Sequence, residues 1–145
     1  MRKMNKCVWP STSFSEEKPW GYEIQWSGLF HGKEIHLRAG HRTSLKFHPR
    51  KCEVLYVQHG EILAEIADES HFVSPIQEPA RRVTLGKGDI LNVQAGCAYR
   101  LTAQDDSIVF EISDGNNGEP IRLEDDYGRE VTQSEKYTFV HPEKS

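Results

Sequence analysis

The sequence predicts a single small all-β domain, a barrel or sandwich of eight or nine short strands. Three observations carry that expectation. Short runs rich in β-branched, aromatic and alternating apolar residues recur along most of the chain, separated by Gly, Pro and Asp turn signals. No apolar stripe of helical period is long enough to cover a parallel sheet. The length of 145 residues fits one hydrophobic core and falls short of the size at which chains divide.

The elements follow in order. Residues 1–19 are polar, carry turn signals at Pro10 and Pro19, and read as a lead-in that packs over the domain or against a partner. Tyr22–Trp26 and Phe30–Leu37 read as paired strands around Ser27-Gly28, and Thr43–His48 as a strand after the turn at Ala39-Gly40. Glu53–His59 and Glu61–Ile66 flank Gly60, a tight turn. Ala67–Ala80, with its acids, serines and prolines, reads as a loop. Arg81–Leu85, Ile90–Val93, Tyr99–Ala103 and Ser107–Ile112 complete the strands, punctuated by Gly86 and Gly88, Ala95-Gly96 and Asp105-Asp106. From Asp114 the chain is polar, with one helical turn expected near Glu124–Arg129. The expected organisation is a lead-in at 1–19, a domain at 20–131 and a tail at 132–145.

Composition removes several function classes. A net charge of -4 does not suit nucleic acid, which requires a basic surface, although a local basic patch for one phosphate remains compatible. No apolar run approaches the roughly 18 residues needed to cross a bilayer. The basic start Met1–Cys7 is not followed by an apolar stretch, so no secretory signal is expected. Cys7, Cys52 and Cys97 are odd in number and far apart, which favours a reducing compartment; the expected location is cytoplasmic.

Two patterns bear on chemistry. The first runs Gly40-His-Arg-Thr-Ser-Leu-Lys46-Phe-His48-Pro-Arg-Lys-Cys-Glu53 and reaches Gly60 after six further residues; the second runs Gly88-Asp-Ile-Leu-Asn-Val-Gln94-Ala-Gly96-Cys-Ala-Tyr99. Side chains two apart on a strand share a face, so Lys46 and His48 point the same way. Glu53 opens the neighbouring strand and can face the same interior, while Tyr99 approaches from a third, so the four converge on a pocket.

These patterns resemble the two motifs of the cupin superfamily, G-x5-H-x-H-x4-E-x6-G and G-x5-P-x-G-x2-H-x3-N, with the spacing kept. The resemblance implies a double-stranded β-helix, the jelly-roll barrel, and a site that ordinarily holds a divalent metal with three imidazoles and one carboxylate. Only His48 and Glu53 carry over. Lys46 stands at the first histidine position and Tyr99 at the last; a protonated lysine cannot ligate and a neutral phenol is a poor ligand. No cofactor is therefore expected. If a weak divalent ion does bind, His48 and Glu53 are its ligands, with His36, His41 or Cys97 available to complete the shell. Lys46 beside Glu53 could supply the positive charge in place of a metal.

A narrower resemblance covers nearly the whole chain. Lys18-Pro-Trp-Gly-Tyr22, Ser44-Leu-Lys46-Phe-His48, Glu111-Ile-Ser-Asp-Gly115 and Ile121-Arg-Leu-Glu-Asp-Asp-Tyr127-Gly-Arg129 are similar to segments of the cupin domain of type II mannose-6-phosphate isomerases, also found fused to mannose-1-phosphate guanylyltransferases. Lys46 replaces a metal-binding glutamine of that family and Arg50 a histidine. The resemblance implies interconversion of mannose 6-phosphate and fructose 6-phosphate through an enediol, which needs a base and an electropositive group. Glu53 or His48 is then the candidate base. Lys46 and Arg129 stabilise the oxyanion, Arg50, Lys51 or Arg82 hold the phosphate, and Tyr99 donates to a sugar hydroxyl.

Plainer roles stand beside these. Lys46 and Glu53 could only neutralise each other, Tyr99 could be an aromatic plug, the arginines could be solvated surface, and Tyr127–Arg129 could fix the carboxy-terminal segment by an ion pair. Trp9, Trp20 and Trp26 suit core, lead-in packing or a dimer surface better than sugar stacking. Three functions remain open: a sugar-phosphate isomerase, a non-catalytic carbohydrate-binding or sensor protein, and a structural homodimer. The expected partners are a small sugar or sugar phosphate and a second copy of the chain.

Overall fold

A computed structural model describes residues 5–73, 75, 77–114 and 118–143. In chain order the strands are β1 (Ser13–Lys18), β2 (Gly21–Trp26), β3 (His31–Leu37), β4 (Leu45–Phe47), β5 (Glu53–His59) and β6 (Glu61–Ala67). After the short helix α1 (Glu69–Phe72) come β7 (Arg81–Gly86), β8 (Ile90–Val93), β9 (Ala98–Ala103), β10 (Ser107–Ser113) and β11 (Ile121–Glu124). They form two antiparallel sheets with strand orders β1-β2-β3-β10-β5-β8 and β11-β4-β9-β6-β7. Strand-to-strand pairing among the described residues stays within these two sheets, with an isolated Val73–Tyr137 bridge outside them, so the all-β expectation holds in the form of a two-sheet jelly roll in which no described strand pair closes a barrel.

Every expected strand is present within about two residues of its expected ends. Two further strands were not expected. β1 lies in the polar lead-in and pairs with β2 along its whole length. Its sequence Ser-Phe-Ser-Glu-Glu-Lys lacks apolar alternation because, at a sheet edge, most of it faces water on both sides. β11 pairs with β4 and turns Arg122 toward Lys46.

The helical turn expected at Glu124–Arg129 does not form. Asp125 accepts hydrogen bonds from the backbone N–H groups of Tyr127 (3.1 Å) and Arg129 (2.8 Å), and Gly128 takes φ +77°. A side chain that satisfies these donors locally competes with a helix. The expected loop 67–80 contains α1 instead, and Ser74 and Ile76 of that loop lie outside the described residues.

The core lies between the sheets, where Trp20, Ile35, Leu55, Val57, Ile62, Leu101 and Val109 are buried. A second apolar cluster forms on the outer side of the smaller sheet. There Leu45, Phe47, Ala67, Phe72 and Ala98 are covered by Tyr137 and Phe139. This arrangement follows from alternation along β4: with Leu45 and Phe47 turned outward, Ser44, Lys46 and His48 face inward.

The β5–β6 turn depends on Gly60, which has φ +88°, and a Cβ there would fall 2.2 Å from Ser107 Oγ and 2.7 Å from Asp106 O. Gly60→Ala is therefore expected to lower stability by about 1–3 kcal/mol in urea unfolding. An unchanged midpoint would show that the turn tolerates a side chain.

Candidate functional site

The inward residues of both sheets enclose a cavity of about 420 Å³. The smaller sheet contributes Ser44, Lys46 and His48 from β4 and its flanks, Tyr99 and Leu101 from β9, and Arg122 from β11. The larger sheet contributes Glu23 and Gln25 from β2, Lys33 and Ile35 from β3, and Glu111 from β10; Lys51 and Arg129 also line the cavity. Strand register fixes the juxtapositions. Lys46 stands directly opposite Tyr99 on one side and Arg122 on the other, and Lys33 stands opposite Glu111.

Glu53 lies behind this lining, its side chain wholly buried. Tyr99 Oη donates to its Oε2 at 2.9 Å, and His48 Nε2 lies 3.2 Å from its Oε1. Ser113 pairs with Glu53 and Leu55 with Glu111, so the two glutamates are diagonal neighbours on one face. Two negative charges this close in a buried site repel, which favours a proton on one of them.

The surroundings decide which one. Burial, and then the bond and charge of Glu111, push the Glu53 carboxyl up to about 8. Burial also disfavours the Glu111 anion, but the Glu53 hydrogen bond and the charges of Lys33, Lys51 and Lys46 outweigh it and hold Glu111 at about 2. At neutral pH the pair therefore shares one proton, with the charge on the cavity-facing member. Lys51 Nζ lies 3.6 Å from Glu111 Oε2, and Lys33 Nζ 3.4 Å from Glu23 Oε2. Burial, then the positive charges of Lys51 and Lys46, lower His48 to about 3, leaving a neutral imidazole. Lys46 is half-buried on the cavity wall, and desolvation lowers its ammonium to about 8 against the pull of Glu53 and Glu111.

Six of the residues expected from sequence gather here: Lys46, His48, Lys51, Tyr99 and Arg129 on the cavity wall and Glu53 behind it. Arg50 and Arg82 do not. Arg50 is exposed in the turn after His48. Arg82 pairs across the outer side of the smaller sheet with Glu65 (3.8 Å) and donates to the Glu143 carbonyl (3.2 Å). The expected contact of Lys46 with Glu53 is also displaced. Because Lys46 stands opposite Tyr99, its ammonium lies 5.0 Å over that ring, and the Tyr99 hydroxyl reaches Glu53 instead.

Arg129 is held by Asp125 through two bonds of 2.7 and 3.2 Å. It thus joins the carboxy-terminal ion pair while lining the cavity. Gly115, part of one sequence motif, lies outside the described residues. Sequence reasoning did not single out Lys33, Glu23, Glu111 or Arg122 as site residues. Glu111 and Arg122 lie inside recognised motifs, and Lys33 occupies an inward strand position where an apolar residue is the rule.

The cupin pattern implies a metal, and the donor set argues against one. His48 and Glu53 are directed at each other, Glu53 is also engaged by Tyr99 and Glu111, and a lysine occupies the remaining wall. His36 stacks on Tyr22 at 4.3 Å and meets Glu34 at 2.8 Å, His41 Nδ1 lies 3.2 Å from the Ala39 carbonyl oxygen, and Cys97 packs against the core. None of these three lines the cavity, and no group of three His, Cys, Asp or Glu side chains arranged for a metal occurs among the described residues. These residues do not fit a divalent ion.

The shared proton has a signature in stability. Glu53 binds its proton more tightly in the folded state than its ordinary value of 4.5 allows, so its contribution is lost as pH rises through about 8. His48 and Glu111 act oppositely, losing stability as pH falls from 6.5 toward about 3 and from 4.5 toward about 2. Between pH 6.5 and 8 the Glu53 effect dominates. The unfolding midpoint is expected to fall with rising pH across that window, and Glu53→Gln to flatten the slope. An equal slope in both proteins would refute the shared proton.

Comparison with known proteins agrees with this architecture. The chain superimposes on oxalate decarboxylase from Bacillus subtilis with a TM-score of 0.67 at 16% identity, covering 83% of this chain and 34% of that one. KdgF from Halomonas sp. gives 0.58 at 14% identity, covering 70% and 84%. The capsular polysaccharide assembling protein CapF from Staphylococcus aureus gives 0.62 at 12% identity, covering 81% and 32%. At these identities the likeness establishes the fold alone, and the chain spans about a third of the oxalate decarboxylase length. Sequence comparison with curated proteins finds no match. The family model for cupins matches residues 34–125, which include β4, β5, β9 and β10 and hence most of the cavity wall, and the chain belongs to the cupin family.

Proposed function

We propose that the cavity binds a hexose phosphate and interconverts its aldose and ketose forms without a metal ion. The observation that carries the reading is the Glu53–Glu111 pair, one proton between two carboxyls, set beside an electropositive wall. The motifs shared with type II mannose-6-phosphate isomerases support the choice of substrate class.

In the open-chain aldose, Glu111 accepts the proton from C2 and the electron pair moves to form the C1–C2 double bond of an enediolate. The negative charge on O1 faces Arg129 on the cavity wall. After O1 gains a proton and O2 loses one, Glu111 returns its proton to C1 and the ketose results. Lys33 and Lys51 make Glu111 a weak base in the free protein. A bound dianion offsets their field and raises the proton affinity of Glu111. Glu53 acts behind Glu111, holding the other proton and orienting the carboxylate, while the neutral His48 and Tyr99 hold Glu53.

One observation favours a second reading, a non-catalytic sugar-phosphate-binding protein: the carboxyl expected to be the base, Glu53, is removed from the cavity and protonated. The proposal of a homodimer is supported by the exposed apolar side chains Val54, Tyr56, Ile90 and Ile112 on the outer face of the larger sheet.

Chelator-treated protein incubated with mannose 6-phosphate or fructose 6-phosphate in heavy water tests the reading. Solvent deuterium should appear at C1 or C2 by NMR, and Glu111→Gln should slow exchange by about 100-fold or more. Binding without exchange in the unsubstituted protein would select the non-catalytic reading. Loss of exchange on chelation, restored by metal, would overturn the metal-free part.

A further inference from the structure

The charges along the cavity wall are not all balanced in the same way. Six basic side chains line it: Lys18, Lys33, Lys46, Lys51, Arg122 and Arg129. Four have carboxylate partners, Lys18 with Glu16 (3.3 Å), Lys33 with Glu23 (3.4 Å), Lys51 with Glu111 (3.6 Å) and Arg129 with Asp125 (2.7 Å). Lys46 and Arg122 have none among the described residues. Lys46 has the Tyr99 ring beneath its ammonium and feels Glu53 and Glu111 only from beyond ion-pair distance, and Arg122 Nε is buried without an acceptor.

These two residues are also direct partners in the β4–β11 pairing, so like charges face one another across adjacent strands. That arrangement is destabilising in isolation, and an unmet guanidinium N–H adds to the cost. Both defects are removed by one ligand: an oxyanion with several acceptor oxygens and a charge near -2. A guanidinium offers a planar fork to two such oxygens and an ammonium a point charge to another. A single carboxylate would leave one cation unbalanced.

We infer that Lys46 and Arg122 form a phosphoryl-binding site, facing each other across β4 and β11 on the wall of the cavity. This moves the phosphate away from Arg50 and Arg82, the cations that sequence alone suggested. The inference deepens the sugar-phosphate reading and rests on it for the remainder of the ligand, but the oxyanion site is testable separately.

Titration calorimetry at low salt with inorganic phosphate, mannose 6-phosphate, acetate and neutral mannose provides the test, with Lys87→Met, an exposed turn lysine, as the control for net charge. The unsubstituted protein and K87M should bind both phosphates and bind acetate more weakly. Lys46→Met and Arg122→Met should each weaken phosphate binding by about tenfold or more, and Arg122→Lys should recover part of the loss. Phosphate should raise the thermal midpoint of the unsubstituted protein, while R122M, relieved of the repulsion, should melt no lower without phosphate and gain little from it.

Equal phosphate affinity in R122M and the unsubstituted protein would overturn the site, as would an equal loss in K87M. Absence of inorganic phosphate binding would overturn it too, leaving hexose exchange to judge the wider reading. Phosphate binding as expected with no hexose exchange would instead sink the isomerase and leave this site standing.

Discussion

The juxtaposition of the Glu53 and Glu111 carboxyls is the constraint around which the interior is arranged. Their strands place them as diagonal neighbours on a buried face, where two negative charges would repel in a poorly solvating medium. One proton removes the repulsion. The remaining groups are distributed to suit it: Tyr99 and His48 approach the protonated member, whereas Lys51 pairs with the ionised one and Lys33 stands opposite it. His48 stays neutral because nearby lysines and burial both oppose a further positive charge.

A polar interior of this kind has a consequence on the other side of the sheet. Alternation that sends Ser44, Lys46 and His48 inward sends Leu45 and Phe47 outward, and their apolar surface must be covered elsewhere. The helix α1 supplies Phe72, and the carboxy-terminal segment supplies Tyr137 and Phe139. Phe47 meets the rings of Phe72 and Tyr137 at 4.8 and 5.4 Å. The segment after the last strand is thus part of how the fold compensates for a charged cavity. Arg100 shows the same logic: wholly buried, it donates to the Thr43 carbonyl at 3.0 Å and meets Glu124 of β11 at 3.3 Å, tying that strand to β9.

Much of the fold was legible because the strands that bury a face alternate, and glycines mark their turns. Glu53–His59 and Ile90–Val93 were read to the residue for that reason. β1 was not legible, since a polar edge strand looks like a linker, and the region of Asp125 was misread because a side chain, rather than periodicity, shapes it. The site divides in the same way. Lys46, His48, Glu53 and Tyr99 were found from two-residue spacing and the motif register. Arg122 was missed as a site residue because its position follows from β11 pairing with β4, a contact between segments more than seventy residues apart. Glu53 was expected to face the pocket, whereas it lies behind the wall with Glu111 in front, a difference of depth that alternation cannot show.

The substitution at position 46 changes what kind of anion the cavity can recognise. A divalent ion concentrates its charge at one point and draws a few oxygens to fixed distances around it. Lys46 and Arg122 spread a similar charge over two strands, as an ammonium and a planar fork, with their geometry set by the sheet. Point charge suits a chelating pair of oxygens on adjacent carbons; a spread charge suits a group presenting oxygens in several directions. Glu53, set behind the cavity wall and engaged by Tyr99 and His48, holds its proton beside Glu111. Lys46, at the position where the cupin motif carries a ligand, and the carboxyl pair fit one another: its charge, with those of Lys33 and Lys51, favours the ionised Glu111.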